Sequence, residues 1–241
     1  FLLITENKQT IQLKNSEWNN YNFGIFLLGE DITLTLNRNR TYYKEGHLKI
    51  KTSHLWIKHS SSKIDCSKLG YLSNRGPGSG KYRNWTIDGG GGGYGTKGEG
   101  YGRQGGEMYG EETLLKQIHF GSGGGGTYGG NGGGIVELII AQQLINHGSI
   151  QSNGGNGMCA SNYVDGSGGS GGSILIELQC QSQSQPHLNK LKQTFGTITC
   201  IGGNQNKRNK GGKGRIAIYG IELSSDDIKQ IDPIPFNRLH K

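Results

Sequence analysis

The stretch GSIQSNGGN at residues 148–156 returns as GTITCIGGN at residues 196–204. Both copies fit the pattern G-[ST]-I-x-[SC]-x-G-G-N, with Ile150 and Ile198 at the shared apolar position. Two weaker copies carry Ile64 and Ile87 at that position. Repeats of this kind are typical of stacked units that bury their apolar side only against their neighbours. We therefore predict that these four isoleucines form a repeated core.

Apolar strands flank the two full copies of the repeat. Residues 135–140, 173–178 and 215–219 each follow a glycine ramp and are rich in Ile, Val and Leu. Such runs favour strands buried on both faces, and long connections between them suit parallel pairing. Residues 32–36 and 47–51 alternate apolar with polar side chains, which predicts strands with one buried face. The predicted fold class is all-β: a parallel β-helix or β-solenoid-like stack.

Glycine dominates the composition, with 45 of 241 residues. Its runs lack the strict third-residue period of collagen, and no apolar stretch approaches the ~18 residues of a membrane span. The glycines gather in excursions longer than ordinary loops, whose median is about 4–6 residues. These excursions are either flexible spacers or ordered, polyproline-II-like strands. The tyrosines inserted among them, including Tyr94 and Tyr101, favour ordered packing.

The chain is interpreted as a single β-rich unit, residues 1–241. Its parts are short strands in 1–88, a glycine- and tyrosine-rich excursion in 89–134, repeat strands in 135–222 and an extended tail in 223–241. Short helices are predicted at 111–118 and 224–230, the second with a serine cap and acidic first turn.

The repeat strands and their glycine ramps carry a family resemblance. Residues 135–219 resemble the glycine-rich right-handed β-helix proteins of bacterial, plant and protist cell surfaces, and residues 31–95 do so more loosely. The resemblance implies a right-handed β-helix in which each G-[ST]-I-x-[SAC]-x-G-G motif is one rung. It implies an adhesin-like role at the cell surface and is almost silent on activity.

Several features bear on the compartment of the chain. It begins at Phe1, followed by an apolar stretch too short for a signal peptide, so we read it as a processed chain or a segment of a longer one. Asn39 and Asn84 head N-x-T triplets and are candidate glycosylation sites. Together these features favour an extracellular or cell-surface location. The cysteines, for which both disulfides and buried thiols remain open, are Cys66, Cys159, Cys180 and Cys200.

The titratable residues show no pattern of a catalytic, metal or cofactor site. The histidines include no HExxH pair. The segment GPGSGKY at residues 76–82 departs from the phosphate-binding loop motif, because no glycine lies five residues before Gly80 and Tyr82 replaces the Ser or Thr. The acids are scattered, and Glu137 and Glu177 are predicted to be solvated on the outer face of adjacent strands. We predict neither an enzyme nor a cofactor.

The formal net charge is +8, and positive charge is concentrated in residues 206–215 and in residues 49–63. The basic patch in the first of these segments consists of Lys207, Arg208, Lys210, Lys213 and Arg215. The patch is either a solvated face or a contact for acidic glycans or other polyanions. Nucleic acid is the less favoured partner, because no known RNA-binding motif is visible.

The combined pattern favours a non-enzymatic structural or adhesive module that assembles with copies of itself, into a cell-surface or extracellular fibre. One alternative is a carbohydrate-binding or polysaccharide-cleaving β-helix, and a second is a basic nucleic-acid-binding protein. An ice-binding bundle would need flat, regularly spaced Thr or Ala faces. Aromatic candidates for a carbohydrate groove are Trp56, Trp85, Tyr42, Tyr43 and Tyr71.

Overall fold

The protein is mostly β-structure with almost no helix, as a computed structural model shows. The structure describes residues 1–17, 20–37, 44–81, 89–100, 104–161, 164–179, 191–204 and 209–239. The first eight strands are β1 (Leu2–Ile4), β2 (Gln9–Leu13), β3 (Asn22–Leu28), β4 (Ile32–Leu36), β5 (His47–Ile57), β6 (Lys63–Asp65), β7 (Ile135–Asn146) and β8 (Ser149–Gln151). The remaining elements are β9 (Cys159–Ser161), β10 (Val164–Asp165), β11 (Ser173–Leu178), β12 (Thr197–Thr199), β13 (Arg215–Tyr219), α1 (Ser225–Ile228), β14 (Ile231–Asp232) and β15 (Phe236–Arg238).

Two parallel sheets contain all the strands except β9 and β10, which pair antiparallel with each other. The seven-stranded sheet has the order β1-β3-β5-β7-β11-β13-β15, and the six-stranded sheet has the order β2-β4-β6-β8-β12-β14. Setting β9 and β10 aside, successive strands of the described chain alternate between the two sheets. The chain therefore adds one strand to each sheet in turn, and the prediction of an all-β fold is confirmed.

The six-stranded sheet aligns the repeat in register. Ile64 pairs with Ile150, and Ile150 pairs with Ile198. The row continues to Leu34 on one side and to Ile231 on the other. All three isoleucines of the repeat are fully buried. The fourth, Ile87, lies in 82–88, outside the described residues.

The hydrophobic core is formed by residues of both sheets in one contiguous cluster. From the seven-stranded sheet it receives rows such as Ile50, Leu138, Ile176 and Ile218, which pair in register across β5, β7, β11 and β13. Each buried aliphatic side chain contributes about 1.5–3 kcal/mol relative to an exposed one. A side chain gains this contribution only when the neighbouring strands cover it, so the stability of each strand depends on its neighbours.

The two predicted helices have different outcomes. The C-terminal one is confirmed as α1, where Ser224 and Asp227 form a reciprocal capping box. The helix predicted at 111–118 is wrong, because this segment forms turns. Leu114 adopts a φ of 54° there and is buried against Leu175 on the outer face of the seven-stranded sheet. Burying the apolar side chains of the segment on that face outweighs its weak helical propensity.

The tail after α1 is extended, as predicted, and supplies β14 and β15 as the last strand of each sheet. In the described part of the chain, no helix is long and apolar enough to cross a membrane.

Candidate functional site

The described parts of the glycine excursions form a hydrogen-bonded bundle, and residues 166–172 lie inside it. All seven residues are buried. The backbone acceptor of their amides changes with a period of three: residues 166, 169 and 172 donate to Met158, Gly155 and Ser152, residues 167 and 170 to Gly125 and Ser122, and residues 168 and 171 to Asn209 and Gly212. The acceptors are themselves three residues apart. Three residues per turn is the geometry of a polyproline-II helix.

The bundle excludes side chains because its backbones touch. A Cβ placed on Gly92 would lie 2.5 Å from the carbonyl oxygen of Ser122 and 2.8 Å from that of Gly123. Serine occurs inside the bundle where its hydroxyl has a partner: Ser170 Oγ accepts the amide of Ser122 at 2.8 Å, and Ser167 Oγ donates to the carbonyl of Gly89. The excursions are therefore ordered by their own backbone hydrogen bonds.

Tyr94 links the bundle to the seven-stranded sheet. It is fully buried, and its hydroxyl lies 2.8 Å from Ser173 Oγ at the start of β11. Its ring packs 4.7 Å from that of Tyr109, centroid to centroid. Burial raises the pKa of Tyr94 to about 12. The phenol is therefore neutral at physiological pH, as a buried hydrogen-bonded group should be.

Arg215 belongs to this cluster rather than to an open basic patch. Its guanidinium lies 5.5 Å from the centre of the Tyr94 ring and donates to the carbonyls of Tyr109 and Gly110 at 3.0 and 3.1 Å. Lys213 Nζ forms an ion pair with Asp232 at 2.5 Å. Lys210 is exposed, and Lys207 and Arg208 lie in 205–208, outside the described residues. The described part of the predicted patch is therefore largely engaged within the chain.

Glu137 is a buried acid on the outer face of the seven-stranded sheet. Its carboxylate accepts from Lys49 Nζ at 2.7 Å and lies 3.2 Å from His47 Nε2. Burial acts to raise the pKa of Glu137, but the hydrogen bonds from His47 and Lys49 outweigh it and hold the pKa below its usual range. The predicted solvated position is wrong, because Glu137 is only 7% exposed. Glu137 pairs with Leu175 in β11 rather than with Glu177.

Sequence reasoning missed this Glu137 cluster, although a signal for it exists. His47 and Lys49 occupy alternate positions of β5, so both point to the face that Glu137 shares on the neighbouring strand. Among the residues that the structure describes, no three His, Cys, Asp or Glu side chains come together as metal ligands.

The other predicted residues are dispersed over the molecule. Trp56 lies half-buried on the outer face of β5, and Tyr71 packs edge-on against Phe120 at 5.9 Å. Cys66 and Cys200 are free, buried thiols. The remaining candidates fall outside the described residues: Asn39, Tyr42 and Tyr43 in 38–43, Asn84 and Trp85 in 82–88, Tyr101 in 101–103, and Cys180 in 180–190.

Comparison with known proteins found no match. No protein family, curated protein or solved structure matches it. Any functional conclusion therefore rests on the chain's own geometry.

Proposed function

We propose that this chain is a non-enzymatic structural module: a glycine-rich, right-handed β-solenoid that adheres and assembles with copies of itself into a cell-surface or extracellular fibre. The alternation of strands between two parallel sheets supports the solenoid, because each pair of strands then forms one coil. The three-residue hydrogen-bond period supports polyproline-II helices in the bundle. The bundle stiffens the coil by joining excursions from distant parts of the chain, as when Gly212 donates to Gly92.

The observation that carries the assembly role is that, among the described residues, both sheets end in strands that pair with a neighbour on one side only. In β2, the amide of Gln9 donates to the carbonyl of Asp31 just before β4, and the carbonyl of Leu13 accepts from the amide of Asn37 just after β4. Because alternate residues of a strand face opposite neighbours, the backbone groups of Thr10 and Gln12 point to the free edge. Ile11 remains partly exposed, whereas Ile64 further inside is fully buried. Such an edge is a template for a strand of another copy.

The six-stranded sheet suits end-to-end assembly better than the seven-stranded one, because its first and last strands lie in the same register. The row through Ile64 and Ile150 starts at Ile11 and ends at Ile231, so a second copy continues it without a lateral shift. In the seven-stranded sheet, Phe236 of the last strand is level with Lys49, whereas Leu2 of the first strand is level with Leu55. Lys49 and Leu55 are six residues apart in β5, so the first and last strands of this sheet are offset by about 20 Å along the strand direction. The contact between copies is therefore β14 of one against β2 of the next.

Sedimentation velocity over a range of protein concentrations tests this function, with electron microscopy of the same samples. We expect species larger than the monomer that grow with concentration. Thr10→Lys places a charge on the free edge strand and weakens assembly, because edge lysines oppose strand addition. Thr197→Lys is the matched control: Thr197 is also exposed on the outer face of this sheet, but its strand lies inside the sheet. A wild-type chain that stays monomeric at every concentration would refute the proposal.

A further inference from the structure

An apolar row crosses the outer face of the seven-stranded sheet, in register over neighbouring strands. It runs from Leu3 through Leu27, Trp56 and Ile145 to Thr194, and we call it the Trp56 row. Leu3 is 57% exposed, and the other four residues are half-buried. The neighbouring strands lie about 4.8 Å apart, so Leu27 and Ile145 flank Trp56 on a stretch of surface about 10 Å long.

The other half of the same outer face is covered. There Leu114 and Ile118 pack onto Leu175, Ala217 and Tyr219, which are almost fully buried. On the covered half, apolar side chains of the sheet are buried by another segment of the same chain. The Trp56 row remains partly accessible to solvent, and accessible apolar patches of this kind mark binding surfaces.

Polar side chains surround the Trp56 ring and fix its position. Trp56 Nε1 donates to Gln143 Oε1 at 3.3 Å, and Gln143 Nε2 donates to the carbonyl of Lys192 at 3.1 Å. The His54 ring meets the indole edge-on at 5.6 Å, and Lys58 Nζ lies over the indole ring, 5.8 Å from its centre. An aromatic platform rimmed by donors is the composition of a ligand-binding surface.

The groups around the platform are basic. Lys58, His147 and Lys192 are exposed, and Lys58 and His147 follow directly after paired residues at the ends of adjacent strands. The nearby carboxylate of Glu30 is 3.7 Å from His59 Nε2, which engages it. The chain as a whole carries a net charge of +8. The platform therefore favours an anionic ligand.

We propose that the Trp56 row binds an acidic polysaccharide, with Trp56 as the stacking platform and Lys58 as the main cationic contact. The C–H face of a pyranose ring packs on an indole and on the aliphatic side chains beside it, and the stretch from Leu27 to Ile145 has the length of two linked rings. Carboxylate or sulfate groups on the sugar pair with Lys58. A single tryptophan between aliphatic residues suits sugars better than single-stranded nucleic acid, whose successive bases need several aromatic platforms.

This site does not depend on self-assembly, since all its residues come from one chain. The experiment uses dextran sulfate as the probe and neutral dextran as the matched control, because the two share a glucose backbone and differ in the anionic sulfate groups. Binding is followed by tryptophan fluorescence and by calorimetry at physiological ionic strength. A DNA oligonucleotide serves as a second polyanion.

Three variants test the residues. Trp56→Ala is expected to weaken binding of dextran sulfate by about tenfold or more, as a central aromatic contact does. Lys58→Glu reverses the exposed charge without touching the core, and we expect a loss of about fivefold or more. Tyr128→Ala removes another exposed aromatic side chain, located in the glycine bundle, and should leave binding within about twofold of wild type.

The proposal stands if dextran sulfate binds at least about tenfold more tightly than both dextran and DNA, and if Trp56→Ala and Lys58→Glu show the expected losses. It is overturned if wild type does not bind dextran sulfate, or if dextran or DNA binds equally well. It is also overturned if Lys58→Glu and a folded Trp56→Ala bind as wild type does. Sedimentation of the same variants reports on assembly separately, so failure of one proposal leaves the other intact.

Discussion

Gly92→Ala tests whether close backbone packing in the glycine bundle holds the protein together. The new Cβ would lie 2.5 Å from Ser122 O, and ordinary contact begins at 3.4 Å, so one backbone must move by about 0.9 Å. Gly92 donates to Gly168 at 2.9 Å, and its carbonyl accepts from Gly212 at 2.7 Å. Losing two such bonds costs about 2 kcal/mol, and overpacking adds about 1–3 kcal/mol. The expected loss in the free energy of unfolding is about 3–5 kcal/mol.

Gly24→Ala is the control, since Gly24 is an exposed residue of β3 and its Cβ would meet only ring carbons of Phe1, at 3.4 and 3.8 Å. Alanine is better tolerated than glycine inside a strand, so this variant should be unchanged or about 0.5–1 kcal/mol more stable. Differential scanning calorimetry should show Tm lowered by about 6–20 °C for Gly92→Ala and not for Gly24→Ala. Equal Tm values for the two variants would refute the reasoning that packed backbones exclude a methyl group.

Three further perturbations address the core, the buried acid and the thiols. Ile150→Ala should lower the free energy of unfolding by about 2–5 kcal/mol in urea titrations through the cavity it leaves, whereas Ile201→Ala, 39% exposed, should cost about 0.5 kcal/mol; similar losses would argue against the stacked row. Because the pKa of Glu137 is lowered in the folded state, its stabilisation is present above its unfolded pKa of about 4.3 and is lost as the pH falls through its folded pKa. Urea titrations from pH 6 to about 3 should therefore show a shallower loss of stability for Glu137→Gln than for wild type, and parallel curves would contradict this. Burial raises the pKa of Cys66 and Cys200, so peptide mapping after thiol labelling should find both unlabelled in the native protein and labelled in denaturant; native labelling would show that the core opens.

The strand pattern was predictable because it depends on local apolar patterning. The repeated motif placed Ile150 and Ile198 at equivalent positions, and the structure pairs them directly. The early strands β1 and β3 were not predicted, since their apolar residues do not alternate regularly with polar ones. The charges at the ends of segment 111–118 favoured a helix. Its apolar side chains are instead buried against strands that are far away in sequence. Local propensity cannot anticipate such a long-range contact.

The candidate surfaces were less visible in the sequence for the same reason. Trp56 was named as an aromatic candidate, but the row it shares with Leu27 and Ile145 depends on the register of three strands. Arg215 sat within a run of positive charge, which predicts an exposed patch. Its neighbour Tyr94 comes from an excursion more than a hundred residues earlier, so its aromatic contact appears only in three dimensions.

The crowding of backbones around Gly92 has a consequence for how this sequence tolerates change. Runs such as residues 121–126 and 166–172 have the composition of low-complexity sequence, which usually tolerates substitution. Single-base changes in a glycine codon introduce alanine, serine, valine, cysteine, arginine, aspartate, glutamate or tryptophan, and the interior positions have no room for even the smallest of these without moving a neighbour. Natural variation should therefore be lower in these plain stretches than in the varied outer faces of the strands.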